Sequence, residues 1–497
     1  MRRLYDRFLA FEVSHRFFER EILGVRFWHL IRLQVYGRFV LPTLFPLPPA
    51  HPDLLLGTEP KGLISRIAGF IKRKRDRLLD ATWHNPMLSF RARPILFSLT
   101  PRQAVMKGGR RVTLILDFFT SRLTARHALL EYSLANIRCA NRFRRRLFHL
   151  PPFDAALAKV PPERVAGLSE ACETFARELA AALKAEFSVE ADVRQLAACA
   201  LSALRFRAAY LPVLKRWLRH LKTRVVVTAV HYNNLNFTLA EAAHDLGLKV
   251  VELQHGTIYP MHGAYNLPVK DSVYAPDTLI AWGRHWISQT RNYPRGASVP
   301  LGYPYLEACR QAYCPAQRSS RRFTVLFVSQ GNVGGALSRA ARELSELLPR
   351  DRFAIVYKLH PNETRSWRTL YPHLLESAVD VVANTDRNIY ACLSEADAVV
   401  GVSSTSLVEA LAWERRVFVL TAMPSAEIMA GFEAADSMEG VADVESLAKR
   451  LLALAQGGLQ NMRNYATDEY FCPNAAARIA EFLDGQVTLQ RNKEMKR

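Results

Sequence analysis

Five short apolar runs in this chain each end in residues that can bind or move charge. VVVTAV leads into His231, Tyr232, Asn233 and Asn234; VVEL into Gln254, His255 and Gly256; VLFV into Ser329, Gln330 and Gly331; AIVYKL into His360 and Pro361; AVVGV into Ser403, Ser404 and Thr405. Runs of this length rich in Val, Ile and Leu read as buried parallel strands, and open parallel sheets bind ligands beyond the carboxyl ends of their strands. The five ends are expected to converge on one cleft. Imidazoles, amides and hydroxyls gathered there suit an anionic ligand and a proton transfer beside it.

Ser403, Ser404 and Thr405 directly precede SLVEALAW, an apolar-periodic helix, so their hydroxyls and the first backbone N–H groups would meet an anion. One hydroxyl suffices for an ordinary cap; three after a buried run read as a phosphate cradle. Glu409, one turn into that helix, is placed to accept hydrogen bonds from a ribose. Pro361 biases His360 toward an extended backbone and so fixes its direction at the strand tip. There an imidazole can neutralise charge on a departing nucleotide. Lys358, with Gln330 and Gly331, completes the expected donor-binding set.

In the other group, Gly256 permits the tight turn of an active-site loop that continues through Tyr259, His262 and Tyr265. Together with His231, Asn233 and Gln254, these residues are expected to hold a polar, ring-shaped acceptor. His255 is one candidate base. Asp117 is another: it follows VTLIL and precedes an apolar pair that would raise its pKa, although an ordinary capping aspartate accounts for it equally well. Glu252 is a further carboxylate, its direction depending on strand alternation. The histidines at 231, 244, 255 and 262 match no zinc spacing, so no metal and no cofactor beyond the co-substrate is expected.

These residues need two sheets to position them. The predicted strands are Ile95 to Leu99, Val112 to Leu116, Val225 to Ala229, Val250 to Leu253, Leu279 to Ala281, Val325 to Val328, Ile355 to Lys358, Val399 to Val402 and Val417 to Leu420. Alanine- and leucine-rich helices are predicted over Ala171 to Ala185 and Val193 to His220. The polar stretch Arg310 to Arg322 reads as an interdomain linker, and Gln490 to Arg497 as a frayed tail. The expected fold is α/β, with two Rossmann-like parallel-sheet domains and a basic, mainly helical amino-terminal extension.

The chain has 497 residues, 49% of them apolar and 23% charged, which excludes wholesale disorder. Of its net charge of +21, the first 150 residues supply +18 and the rest +3. So basic an end suits a polyanion. Its dense clusters are Lys72 to Arg75 and Arg144 to Arg146, the first following the apolar-periodic Leu63, Ile64, Ile67, Phe70 and Ile71. No helix-turn-helix, zinc finger or aromatic RNA-binding signature accompanies the charge, so an anionic membrane surface is expected and nucleic acid is not. No charge-free stretch reaches 18 residues, no secretory signal opens the chain, and seven scattered cysteines suit a reducing compartment. The expected location is cytoplasmic, peripheral on the inner membrane face.

KLHPNE at 358–363, NIYACLSEADAVVGVSSTSLVEAL at 388–411 and RVFVL at 416–420 resemble the GT-B-type glycosyltransferases of bacterial capsule and surface polysaccharide synthesis. They are similar also to polysialyltransferases, capsule Kdo transferases and teichoic acid glycerophosphotransferases. LQHGTIYPMHGAY at 253–265 resembles the acceptor-domain loop of many such proteins. The resemblance implies a GT-B-like fold of two facing domains, with His360, Ser403 and Ser404 on the phosphate of a nucleotide-activated donor. The paired-acidic motif holding the base in polysialyltransferases has no counterpart here.

The expected organisation is then a basic extension over 1–90, an acceptor-side domain over 91–308, a donor-binding domain over 323–465, and a terminal helix and tail over 466–497 that packs back across. The expected activity is metal-independent sugar transfer from a nucleotide donor to a glycan or glycolipid acceptor. The rivals are a CDP-glycerol-type polyol-phosphate transferase, a sugar-nucleotide 2-epimerase, and a non-catalytic polysaccharide- or membrane-binding subunit.

Overall fold

The computed structural model describes residues 1–44, 78–79, 82–99, 104–107, 110–113, 115–131, 147–269, 272–290, 293, 297–314, 322–331, 333–383, 387–434, 438–457 and 467–495. The chain divides into two compact units. The first comprises Arg2–Leu44, Thr58–Tyr305 and Cys472–Arg497; the second is chiefly Leu306–Phe471.

The main sheet of the first unit has seven parallel strands: β1 (Ile95–Leu99), β2 (His127–Glu131), β3 (Leu147–His149), β4 (Val225–Thr228), β5 (Lys249–Leu253), β6 (Thr278–Ala281) and β7 (Ala297–Pro300). Their spatial order is β7-β6-β5-β4-β1-β2-β3. The second sheet has β8 (Phe323–Val328), β9 (Phe353–Lys358), β10 (Val379–Val382), β11 (Ala398–Gly401), β12 (Arg416–Leu420) and β13 (Glu439–Val441), in the order β10-β9-β8-β11-β12-β13, again all parallel. Counted from the first strand of each sheet, both follow the doubly wound order 3-2-1-4-5-6, the first adding a seventh strand. The order reverses between β1 and β4 and between β8 and β11. Val225–Thr228 and Ala398–Gly401 are buried throughout, as strands covered on both faces must be.

In the first unit α1 (Arg2–Ser14), α2 (Trp28–Val35), α3 (Pro162–Phe187) and α4 (Val193–His220) build a core of their own. Pro162 suits the first turn of α3, where no intrahelical donor is lost, and Ser188 closes it in the left-handed conformation. Asp192 caps α4, accepting from the Arg194 amide at 2.8 Å. Leu168, Cys172, Phe175, Leu179 and Leu183 recur every three or four residues along α3 and face Phe11, Phe17 and Trp28. α4 is long and apolar enough to cross a membrane, yet half of its most apolar window is buried within the protein. α5 (Asn234–His244) covers β4 and β5.

This packing changes the reading of 1–90. Residues 2–44 are part of the first unit's core, with Tyr5, Phe8, Phe11, Trp28, Ile31 and Val35 buried, because the apolar stripes of α1 and α2 outweigh their cationic faces. Lys72 to Arg75, the apolar-periodic residues from Leu63 to Ile71 before them, and Arg144 to Arg146 lie outside the described residues.

Other expectations are corrected. Val112 and Thr113 belong to an antiparallel hairpin, Ala104–Lys107 with Arg110–Thr113, and 115–119 form a turn, so no parallel strand runs from 112 to 116. β2, β3, β7, β10 and β13 escaped the pattern, most being short or interrupted by polar residues. Of the Arg310 to Arg322 stretch, 310–312 close a helix that begins at Pro304, and 315–321 lie outside the described residues.

In the second unit α6 (Gly334–Leu347), α7 (Ile389–Glu395), α8 (Thr405–Leu411) and α9 (Val444–Gln456) alternate with the strands. The chain then returns to the first unit through α10 (Ala475–Met495), which runs helically through most of the expected tail. Ile479 and Leu483 pack beneath β1, and Asp484 accepts from the Thr124 and Ala125 amides at 2.8 and 2.9 Å. The junction needs Gly302: its φ is +104°, and a Cβ there would meet that of Ala475 at 2.6 Å.

Candidate functional site

In the second unit the residues after β8, β9 and β11 share the carboxyl edge of one sheet. β8 is the strand between the other two, so the ends of β9 and β11, from which His360 and Ser403 follow, are two strand spacings apart, about 10 Å. The place where the strand order reverses is bridged by side chains. Oε1 of Gln330 accepts from the Ser403 amide at 2.9 Å, and its Nε2 donates to Ser403 Oγ at 3.2 Å. The Ser403 hydroxyl also meets that of Ser425 at 2.9 Å. Ser404 caps α8, accepting from the Ser406 amide at 3.3 Å, and Thr405 opens the helix half-buried. Gly331 is exposed, with open space where a side chain would project.

His360 is held by its own turn. Its amide donates to Glu363 Oε2 at 2.8 Å, and its Nδ1 accepts from the Asn362 amide at 3.3 Å. An accepting Nδ1 puts the neutral ring's proton on Nε2, an N–H donor for an anion. Glu363 is buried and also accepts from the Tyr371 hydroxyl at 2.7 Å. Gly334 lets this turn approach α6, for a Cβ there would strike the Tyr371 hydroxyl and lie 2.6 Å from Glu363 Oε1. Pro361 is exposed. Lys358 is half-buried beside Cys392 of α7; burial, aided by the nearby Arg387, lowers its pKa.

Glu409 sits deeper than a ribose contact was expected to require. It is 6% exposed, accepts from the Tyr390 hydroxyl at 3.0 Å, and burial pushes its pKa up to about 7.

In the first unit the ends of β4 and β5 are neighbours. His231 Nδ1 donates to Glu252 Oε2 at 2.7 Å, and the Tyr265 and Tyr293 hydroxyls reach the same carboxylate at 3.0 Å each. Burial opposes ionisation of Glu252, but His231 and its hydrogen bond outweigh it and lower the pKa. Tyr232 and His255 form an outer pair, hydroxyl to Nε2 at 3.0 Å. Burial lowers the His255 pKa, and burial with the adjacent histidines pushes His262 down to about 3.

Not every expected acceptor contact faces outward. The Gln254 side chain accepts from the Trp282 amide and donates to the Gly256 carbonyl, each at 2.8 Å, so it locks the turn. Asn233 caps α5, accepting from the Asn236 amide at 3.0 Å. Tyr265 and His231 are buried. His255, Gly256 and His262 retain partial exposure. Asp117 lies in the turn after the hairpin and accepts from the Thr113 amide at 2.8 Å, the capping arrangement rather than a strand tip. The five strand ends thus divide two and three between the sheets.

Ser425 was not singled out from sequence, and Tyr232 and Glu363 stood there only as neighbours of His231 and His360, with no role of their own. Glu363 had a signal in its spacing of three from His360. Ser425, distant from Ser403 in sequence, had none.

The strand orders define an α/β chain of two Rossmann-type units, each with polar residues at its strand ends. No protein-family model and no curated protein sequence matches it. Among solved structures it is similar to the S. aureus MnaA–UDP co-structure, at 11% identity and a TM-score of 0.48, over 80% of this chain and 97% of that one. It is similar also to a UDP-N-acetylglucosamine 2-epimerase from Listeria monocytogenes (12% identity, TM-score 0.49, 80% and 98%). A third similarity is to the wall teichoic acid polymerase TagF soaked with CDPG (9% identity, TM-score 0.39, 88% and 100%). With overlaps at this level, the fold assignment rests on this chain's own strand order.

Proposed function

We propose that the chain is a GT-B-type glycosyltransferase that moves a sugar from a nucleotide-activated donor to a surface-polysaccharide acceptor of capsule or lipopolysaccharide type. The observation that carries this reading is the Gln330–Ser403 bridge at the strand-order reversal, with the Nε2–H of His360 on the same sheet edge. That is where doubly wound sheets bind ligands.

In this reading the donor phosphate is held by His360, Ser403, Ser404 and Thr405, with Gln330 and Gly331 beside it, while Glu409 stays buried on the Tyr390 hydroxyl and supports the helix behind the turn. The first unit supplies the acceptor side through His255, Gly256 and His262, with His231, Asn233, Gln254 and Tyr265 holding their geometry. In the transfer step an acceptor hydroxyl loses its proton to a general base, and the oxygen bonds to the anomeric carbon. The bond from that carbon to the phosphate oxygen breaks, and the nucleotide leaves with its charge met by His360 and the hydroxyls. The scheme requires no metal. The enzyme would work at the inner face of the cytoplasmic membrane, where lipid-linked glycan acceptors are presented.

The test is nucleotide release by the full chain from CMP-sugars, UDP-sugars and CDP-glycerol, with and without a polysaccharide acceptor. Acceptor-dependent release from one sugar nucleotide is expected, with a loss of about 10²-fold or more in His360→Ala. Release from CDP-glycerol alone would select a polyol-phosphate transferase. Conversion of a donor without acceptor would select an epimerase, and inactivity with every donor a binding subunit.

A further inference from the structure

Residues 78–79 and 82–91 form a strip whose inner and outer sides differ sharply. The inner side is anchored: His84 Nδ1 meets the Leu147 carbonyl at 2.9 Å, Pro86 is buried, and Met87 packs against the core that contains Trp217, Leu218 and Leu221 of the α4 end. The outer side carries Leu78, Leu79, Trp83, Leu88 and Phe90, all exposed, with Trp83 at 57% and Phe90 at 103%. These two are the only Trp and Phe among the exposed large hydrophobics of the described residues. Anchored backbone with outward aromatics is not a frayed segment. It is a built apolar surface.

Cations border it. The Ser89 carbonyl meets His220 Nε2 at 3.0 Å, and the Arg93 amide donates to the Leu221 carbonyl at 2.7 Å, which lays the strip along the last turn of α4. Arg91, Arg216, Arg219 and Lys222 there are all exposed. An aromatic and leucine ridge rimmed by cations matches a bilayer interface, where rings sit at headgroup level and cations meet anionic phosphates.

We propose that this strip is a docking surface for an anionic lipid bilayer, with Trp83, Leu88 and Phe90 entering the headgroup region and Arg91, Arg216, Arg219 and Lys222 facing its phosphates. The inference rests on the membrane-side reading above and narrows the contact expected of the basic 1–90 segment to this strip and the end of α4 beside it; α1 and α2 of that segment are committed to the core. The strip flanks β3, three strand positions from β4. It is therefore separate from the loop that carries His255.

The test is co-sedimentation of the full chain with phosphatidylcholine vesicles with or without phosphatidylglycerol, at low and moderate salt. Trp83→Ala with Phe90→Ser is expected to weaken binding to the anionic vesicles by about tenfold or more. Arg216→Glu with Arg219→Glu is expected to weaken it by roughly fivefold per cation lost or more, and to flatten its salt dependence. Both variants should keep the parent melting temperature and parent nucleotide release from a soluble donor. Loss of release in the parent itself bears on the transferase reading and leaves vesicle binding a separate observation. Unchanged anionic-vesicle binding in both variants overturns the proposal. So does equal binding to phosphatidylcholine alone, or displacement from vesicles by duplex DNA with both variants losing DNA affinity in step.

Discussion

The Nδ1 of His231 lies 2.7 Å from the Oε2 of Glu252, both side chains buried at the ends of neighbouring strands. A buried carboxylate is tolerated only where donors satisfy it, and here two tyrosines and the His231 amide join the imidazole. Glu252 is thus a fixed charge organising the turn before His255, rather than a base that reaches a ligand. Glu252→Gln presents an amide N–H where donors already point and should destabilise the first unit by about 3 kcal/mol or more. Tyr293→Phe should cost about 1 kcal/mol. Thermal melts of the two variants check the ranking; equal effects would deny Glu252 its central place.

Arg32 and Glu12 form a second buried pair, with Trp28 Nε1 donating to the same carboxylate at 2.7 Å. Arg32 also donates to the Gly263 carbonyl, and Tyr5 to that of Asn266, so the amino-terminal helices hold the loop that carries His262. Arg32→Met strands a buried carboxylate and should cost about 3–5 kcal/mol, whereas the double change with Glu12→Leu should recover part of it. Limited proteolysis should cut within 253–267 sooner in the single variant. A loop equally resistant in both would refute the restraint.

In the second unit, Ser403→Ala removes the hydroxyl shared with Gln330 and Ser425. Its effect on donor KM should not add to that of Gln330→Ala, because each change already breaks the same bridge. A double-mutant cycle in the nucleotide-release assay checks this, and strict additivity would separate the two residues.

Gly334→Ala places a methyl against Tyr371 and Glu363. The turn holding His360 must then shift, at a cost of about 1–3 kcal/mol. Affinity for the proposed donor should fall although position 334 lies outside the proposed phosphate-binding set, and parent affinity would show the turn to be irrelevant.

The two units should respond oppositely to pH. Glu409, raised by burial to about 7, holds in the folded state a proton that the unfolded chain releases near the ordinary carboxyl value of 4.5. Its contribution is complete below that value and is lost as pH rises through about 7. Burial instead pushes His29 and His262 down to about 3, while unfolded histidines protonate near 6.5. The first unit therefore keeps their contribution above about pH 6.5 and loses it on acidification toward 3. Calorimetry between about pH 5 and 8 should show Glu409→Gln flattening the pH dependence of the second unit alone. An unaltered slope would contradict the buried-acid assignment.

Much of the architecture can be read from local pattern. Val225 to Ala229, Val250 to Leu253 and Val399 to Val402 are runs of β-branched residues closed by polar turns, and each becomes a strand with those residues at its tip. Val193 to His220 is helical over the predicted span. Three-residue strands such as β3 and β13 contain too few positions to show a period. VTLIL has strand composition, yet its Val112 and Thr113 end a hairpin and its Ile115 and Leu116 lie in a turn.

The sequence by itself determined which residues stand at strand ends, because hydrophobic periodicity and Gly, Pro and Ser punctuation act over a few neighbours. Only the tertiary structure decided which ends meet. Gln330 reaches Ser403 across 73 positions because β8 and β11 lie side by side, and His231 reaches Glu252 because β4 and β5 do. It also drew the basic amino-terminal helices into the core, where the burial of Phe8, Phe11, Trp28 and Ile31 outweighs the charge on their outer faces. Strand adjacency and burial are sums over distant contacts, and no window along the chain contains them.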